Sequence, residues 1–197
     1  MFSNFNFKEY NIADWFSFYR IIVTPVILYS IFSDERLIFA VLITLSFLSD
    51  AIDGILARRL KISSERGAFL DSLGDVLLLI VSVLGAFWFD KNLFIENKIP
   101  ILIVIGLYVL LSLVVYIRYR RPSSFHTYMA KATFVLLALF FICLFFFDFS
   151  KLLFWSVIIL SVIELIEEII IALLLKENKT NVKGLYWVIK NRKVEKK

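Results

Sequence analysis

From Phe18 to Leu175 the chain consists of six apolar stretches, each near the length of a membrane crossing and separated by short polar turns. A spanning helix needs about 20 mostly apolar residues. A chain that is 60% hydrophobic also lies well outside the soluble norm of about 45–50%. The expected fold is therefore an all-α integral membrane protein with six transmembrane helices, preceded by a short interfacial amphipathic helix over about 4–16. That leading stretch reads NFNFKEYNIADWF and mixes polar groups with Phe, Tyr, Ile and Trp, as a helix lying on a membrane would. No signal peptide is evident, because the first fifteen residues lack a continuous apolar run.

The expected spans run from about Phe18 to Phe32, Leu37 to Leu60, Gly67 to Phe89, Pro100 to Tyr119, Tyr128 to Phe147 and Lys151 to Leu175. Pro25 falls inside the first, where membrane helices tolerate it. Asp90 to Lys98 reads as a polar loop. Residues 1–176 form one membrane domain, and 177–197 form a basic tail suited to an anionic leaflet. The single cysteine, Cys143, sits in an apolar run, so no disulfide is expected.

Six crossings put both termini on one side. That side collects Lys8, Arg20, Arg58, Arg59, Lys61, Arg66, Arg118, Arg120, Arg121 and the tail, whereas the opposite turns hold Arg36, Lys91, Lys98 and Lys151. The positive-inside rule assigns the richer side to the cytoplasm.

Against this apolar background stands the stretch DAIDGILARRLKISSERGAFLDSLGD, residues 50–75. Asp50, Asp53, Gly54, Ala57 and Arg58 fall on one helical face, and Gly67, Asp71 and Asp75 fall on another. The polar residues 59–66 between them are enough to reverse the chain, so two antiparallel helices can aim four carboxylates into one space. Like charges so close raise one another's pKa unless a cation intervenes. Hard oxygen ligands favour magnesium, manganese or calcium over zinc. Asp50 lies nine residues before Arg59, a depth on the order of 13 Å at helical rise, and intramembrane acids usually mark a functional site.

The spacing D-x2-D-G-x2-A-R-x8-G-x3-D-x3-D resembles the signature of the CDP-alcohol phosphatidyltransferase family. The resemblance implies a six-span enzyme, usually a homodimer, that moves a phosphatidyl group from a CDP-linked lipid such as CDP-diacylglycerol to an alcohol and releases CMP. It also implies two divalent ions, Mg2+ or Mn2+, bound near the cytoplasmic side. Asp50 and Asp71 would bridge both ions, Asp53 and Asp75 would each complete one site, and Asp75 would be the catalytic base. Gly54, Ala57, Arg58, Ser64 and Gly67 would meet the CDP-lipid. Small residues let a nucleotide lie against the helix, and a guanidinium matches phosphate oxygens. Ser64 could equally cap the third helix.

The acceptor is expected at the turn between the fourth and fifth spans, where Arg118, Lys131 and His126 could receive a phosphorylated alcohol. Glycerol 3-phosphate is the first choice, with inositol phosphate, serine or an amino alcohol as alternatives. The stretch 126–133 keeps one Lys of the Gly-Lys-x-Lys-Thr-like segment common in members that make phosphatidylglycerol phosphate. In the sixth span Glu164, Glu167 and Glu168 need partners. Pairing with Lys131 or Arg118, a cationic head group or a dimer contact would each supply one. Nucleic acid is not an expected partner, since no folded module for it is present. A non-catalytic divalent-cation transporter is the competing class, but its acids should line a route through both halves of the bilayer.

Overall fold

A computed structural model of the protein describes residues 12–60, 65–120, 125, 127–175, 177 and 182–194, for the backbone alone at 12–14, 53–60, 65–69, 71–72 and 191–194. All regular structure among the described residues is helical. The helices are α1 (Ile12–Phe32), α2 (Arg36–Leu60), α3 (Glu65–Phe89), α4 (Lys91–Glu96), α5 (Lys98–Tyr119), α6 (Tyr128–Phe146), α7 (Lys151–Leu174) and α8 (Leu185–Val194). Each of the six expected apolar stretches is thus a helix. Two boundaries differ from expectation. α1 is already helical at Ile12, with no break near residue 17, and the loop after Asp90 contains the short α4. Residues 1–11, the rest of the expected interfacial helix, lie outside the described residues.

Three helical segments are long and apolar enough to cross a membrane: Trp15–Phe32, Lys98–Tyr119 and Tyr128–Phe146. α2, α3 and α7 are 25, 25 and 24 residues long but carry acidic side chains. Large apolar groups face outward all along the bundle, among them Ile22, Phe32, Ile99, Ile117 and Leu152. Water would not tolerate so much contiguous apolar surface; lipid does.

Chain contacts divide the protein into two compact units. The first comprises Met1–Leu93 with Phe141–Asp148. Here α1 packs along both α2 and α3, which themselves meet over a shorter stretch. Its core holds Ile27, Phe39, Ile43, Leu78, Val81 and Leu144, and the Phe39 ring meets Phe145 edge-on at 4.7 Å between centroids. Buried hydroxyls return their protons to carbonyls of their own helix, Thr24 to Arg20, Ser46 to Leu42 and Ser82 to Leu78. That local bonding lets them sit in an apolar interior. Arg36 donates to the carbonyls of Leu144 and Phe145, in the last turn of α6, and pairs with Asp90 at 3.2 Å. Carbonyls at a helix C-terminus lack intrahelical donors, and a guanidinium satisfies them and suits the helix dipole. Burial pushes the Asp90 carboxyl above its ordinary range, outweighing the pull of Arg36.

The second unit comprises Phe94–Phe140 with Phe149–Lys197. α5 packs on α7, and α8 folds back onto α7, around Leu111, Val115, Phe125, Leu165, Ile171, Ala172 and Val188. Thr127 caps α6 by accepting from Ala130 N, and Ser150 caps α7 by accepting from Leu153 N. Two backbone bonds, Val182 N to Phe125 O and Tyr128 N to Lys183 O, tie the segment before α8 to the start of α6.

Gly85 of α3 lies directly against the buried Phe39 ring, whereas Gly106 of α5 has nothing within 4 Å of where a methyl would stand. Gly85→Ala is expected to destabilise the detergent-solubilised protein by about 1–3 kcal/mol through overpacking. Gly106→Ala in the same thermal-unfolding assay should be neutral or stabilising by up to about 1 kcal/mol.

Candidate active site

The acid-rich motif occupies the end of α2 and the start of α3, the helices that α1 braces. Of its four acids, the side chains of Asp50 and Asp75 are described. Both turn toward Arg20 of α1: Nη1 lies 3.2 Å from Asp50 Oδ1, and Nη2 lies 3.6 Å from Asp75 Oδ1. Arg20 also donates from Nη2 to Ser17 Oγ at 3.4 Å, a long hydrogen bond. The guanidinium is almost wholly enclosed, its side chain 1% exposed, while Asp50 is 17% and Asp75 37% exposed. The site thus has a sealed side at α1 and an opening side at α3.

Gly74, next to Asp75, makes this approach possible. A Cβ at that position would stand 2.8 Å from Arg20 Nε. The first and last acids of the motif are thereby joined through one cation on a third helix.

Arg20 is the residue that the sequence reading missed. Grouped above with the charges of the terminal side, it is in addition buried and paired. Its signal was present: Ser17, Arg20 and Thr24 fall at helical spacing on one face of an otherwise apolar helix. Such a polar stripe inside a span implies a partner across the bundle.

Asp53 lies on α2 one turn beyond Asp50, and Asp71 on α3 one turn before Asp75. Their side chains, with those of Gly54, Ala57, Arg58 and Gly67, lie outside the described residues, as do Ser64 and His126 altogether. Carboxylate oxygen is the donor type that a hard divalent cation takes, and among the described side chains α2 and α3 each turn one carboxylate toward Arg20.

The candidate acceptor residues belong to the second unit. Arg118 donates from Nε to the carbonyl of Leu175, at the end of α7, at 3.1 Å. The neighbouring Tyr119 hydroxyl reaches the carbonyls of Ala172 and Leu175. Lys131, exposed in the first turn of α6, holds its ammonium 5.8 Å from the Tyr128 ring centroid. Neither cation forms an ion pair with Glu164, Glu167 or Glu168 among the described residues, so the expected pairing is replaced. Glu167 Oε1 accepts from Leu185 N at 2.8 Å. A carboxylate at the first turn of α8 meets the positive end of that helix. Gly184, with φ of 151°, leaves room for it: a Cβ there would approach Glu167 Oε1 to 3.1 Å.

Helices long and apolar enough to cross a membrane, with acids from two neighbouring helices turned toward one buried arginine, define the class among the described residues. Within that class, the chain belongs to the CDP-alcohol phosphatidyltransferase family, whose sequence model it matches over residues 10–163. It is similar to the CDP-diacylglycerol--glycerol-3-phosphate 3-phosphatidyltransferase of Aquifex aeolicus (strain VF5), at 34% identity over 82 residues, covering 42% of this chain and 46% of that protein. The protein of the same name from Wigglesworthia glossinidia brevipalpis is 33% identical over 87 residues, covering 40% and 48%. That from Salmonella choleraesuis (strain SC-B67) is 31% identical over 78 residues, covering 38% and 43%. The matched stretches thus span about half the length of these relatives.

Gly74→Ala should crowd the guanidinium without removing its charge. A destabilisation of about 1–3 kcal/mol is expected from such overpacking, read as a lowered unfolding midpoint. Glu167→Ala should leave the acid site intact but speed hydrogen exchange at the Leu185 amide, since it removes that donor's partner.

Proposed function

We propose that this protein transfers a phosphatidyl group from CDP-diacylglycerol to glycerol 3-phosphate and releases CMP. The observation that carries this reading is the meeting of Asp50 and Asp75, the outermost acids of the family motif, at one buried guanidinium, with Asp75 left the more open. Glycerol 3-phosphate is favoured among acceptors because the similar proteins from Aquifex, Wigglesworthia and Salmonella are named for it.

In this reaction an acceptor hydroxyl oxygen forms a bond to the phosphorus that carries diacylglycerol. The bond from that phosphorus to the oxygen bridging to CMP breaks, and CMP takes the bonding electrons. Asp75 accepts the hydroxyl proton, a role its exposure allows and its distance from the acceptor oxygen must satisfy. Two divalent ions, Mg2+ or Mn2+, held by Asp50, Asp53, Asp71 and Asp75, would supply neutralisation of the diphosphate and of the departing CMP. Gly54, Ala57 and Gly67 leave space for the nucleotide, Arg58 and Ser64 bind its phosphates, and Arg118, Lys131 and His126 receive the acceptor phosphate. Six spans, with both termini and the site on the cytoplasmic side, let the lipid tails stay in the bilayer while the water-soluble acceptor arrives from the cytosol. A homodimer is the proposed assembly.

Purified protein should release CMP from CDP-diacylglycerol when given glycerol 3-phosphate and Mg2+ or Mn2+, and chelation should stop turnover. A faster reaction with inositol phosphate, serine or an amino alcohol would reassign the acceptor. Absence of CMP release with all of them, alongside metal flux in proteoliposomes, would overturn the enzyme. Asp75→Asn should lower kcat by at least about 100-fold, as loss of an acid–base group does, with CDP-lipid binding retained. Asp71→Asn should lose metal and nucleotide binding together.

A further inference from the structure

Arg20 lies outside the family's acidic motif, and the proposed reaction gives it no part. Its placement is nevertheless constrained from every side. The guanidinium is buried, reaches Asp50 of α2 and Asp75 of α3 among the described side chains, and lies against Gly74, where an added Cβ would stand 2.8 Å from Nε. A cation enclosed in this way is strongly unfavourable unless its charge is matched by partners of good geometry. Equally, two acids in an apolar bundle repel each other unless a cation stands between them. α1 packs along both α2 and α3, so a residue on α1 can reach an acid on each of them.

We propose that Arg20 is the resident counter-ion of the acid site: from α1 it positions Asp50 and Asp75 and neutralises part of their charge, making α1 a third wall of the site. It is a positioning residue, acting through the two carboxylates. Its role toward a divalent ion rests on the metal-dependent reading above; its pairing with the acids does not. Before a divalent ion arrives, the guanidinium keeps the pair from repelling. Once an ion is bound, the charge that Arg20 had to balance is shared.

A double-mutant cycle in detergent, with metal removed by chelation, tests the pairing. Arg20→Met should lower the unfolding midpoint by about 10 °C, the scale expected when one partner of a buried pair is removed from a chain of this size. In a D50N/D75N background the same substitution should cost less than half as much. Equal losses in both backgrounds, or no loss in the native one, would overturn the proposal, because a merely space-filling side chain would be uncoupled from the acids. Should Arg20→Met fail to fold, Arg20→Lys in the same cycle should show a smaller loss that is still coupled.

Added Mn2+ supplies a second readout. It should raise the midpoint of Arg20→Met more than that of the native protein, since an ion replaces the missing charge. An equal rise would overturn charge sharing. No rise in the native protein would defeat the metal-dependent reading, while the chelated cycle would still decide the role of Arg20.

Discussion

A guanidinium enclosed among apolar helices sets the terms for the first unit. In lipid, helices gain no hydrophobic free energy from meeting one another, and association depends on close packing and polar contacts. Arg20 supplies such a contact to two helices together. Removing one partner from a buried ion pair typically costs about 3–5 kcal/mol, with the Asp75 arm contributing less because it is more exposed and better screened. Several local features accompany this one placement: Gly74 leaves space for the guanidinium, Ser17 accepts from it, and α1 lies along both α2 and α3. The family motif supplies acids from α2 and α3, while the residue that binds them together comes from a helix outside it.

A second pattern runs through both units. Polar side chains close the ends of helices other than their own. Arg36 of α2 covers the last turn of α6, Arg118 and Tyr119 of α5 cover the end of α7, and Glu167 of α7 meets the start of α8. Each satisfies backbone groups that the helix cannot satisfy itself, and the charged ones, Arg36, Arg118 and Glu167, carry the sign that the helix end prefers. Charge placement in this protein therefore serves helix termination. Arg118 shows the overlap: a cation suited to an acceptor phosphate is also in contact with the α7 carboxyl end.

Much of the architecture was legible in the sequence because apolar stretches of fixed length leave the chain few choices. The ends of α2, α5, α6 and α7 fall within one or two residues of expectation. α1 ran further toward the N-terminus because polar residues before Phe18 are no obstacle to helix, and hydropathy marks the membrane rather than the helix. α4 escaped notice because six residues carry too little periodicity to distinguish a short helix from a polar loop. In the site, Asp50 and Asp75 were found because carboxylates at helical spacing are conspicuous in an apolar chain. Arg20 was not, since a single charge near a span end looks the same whether it faces headgroups or the interior. Glu167 was seen as needing a partner, but a backbone amide eighteen residues away leaves no sequence pattern.

The gradient of exposure across the acid site gives its parts different work. Arg20 is sealed, Asp50 is mostly covered, and Asp75 is more than a third open. A buried charge that cannot reorganise is fit to hold geometry, since moving it would break several contacts at once. An accessible carboxylate can meet a substrate hydroxyl and exchange a proton. In the proposed reaction, anchoring the more enclosed end on α1 would leave Asp75 on α3 free to act as the base without a fully desolvated pocket. Under the proposed function, preorganisation of this kind would present the acids to a charged diphosphate at low reorganisation cost, with the buried arginine as the fixed point from which they are held.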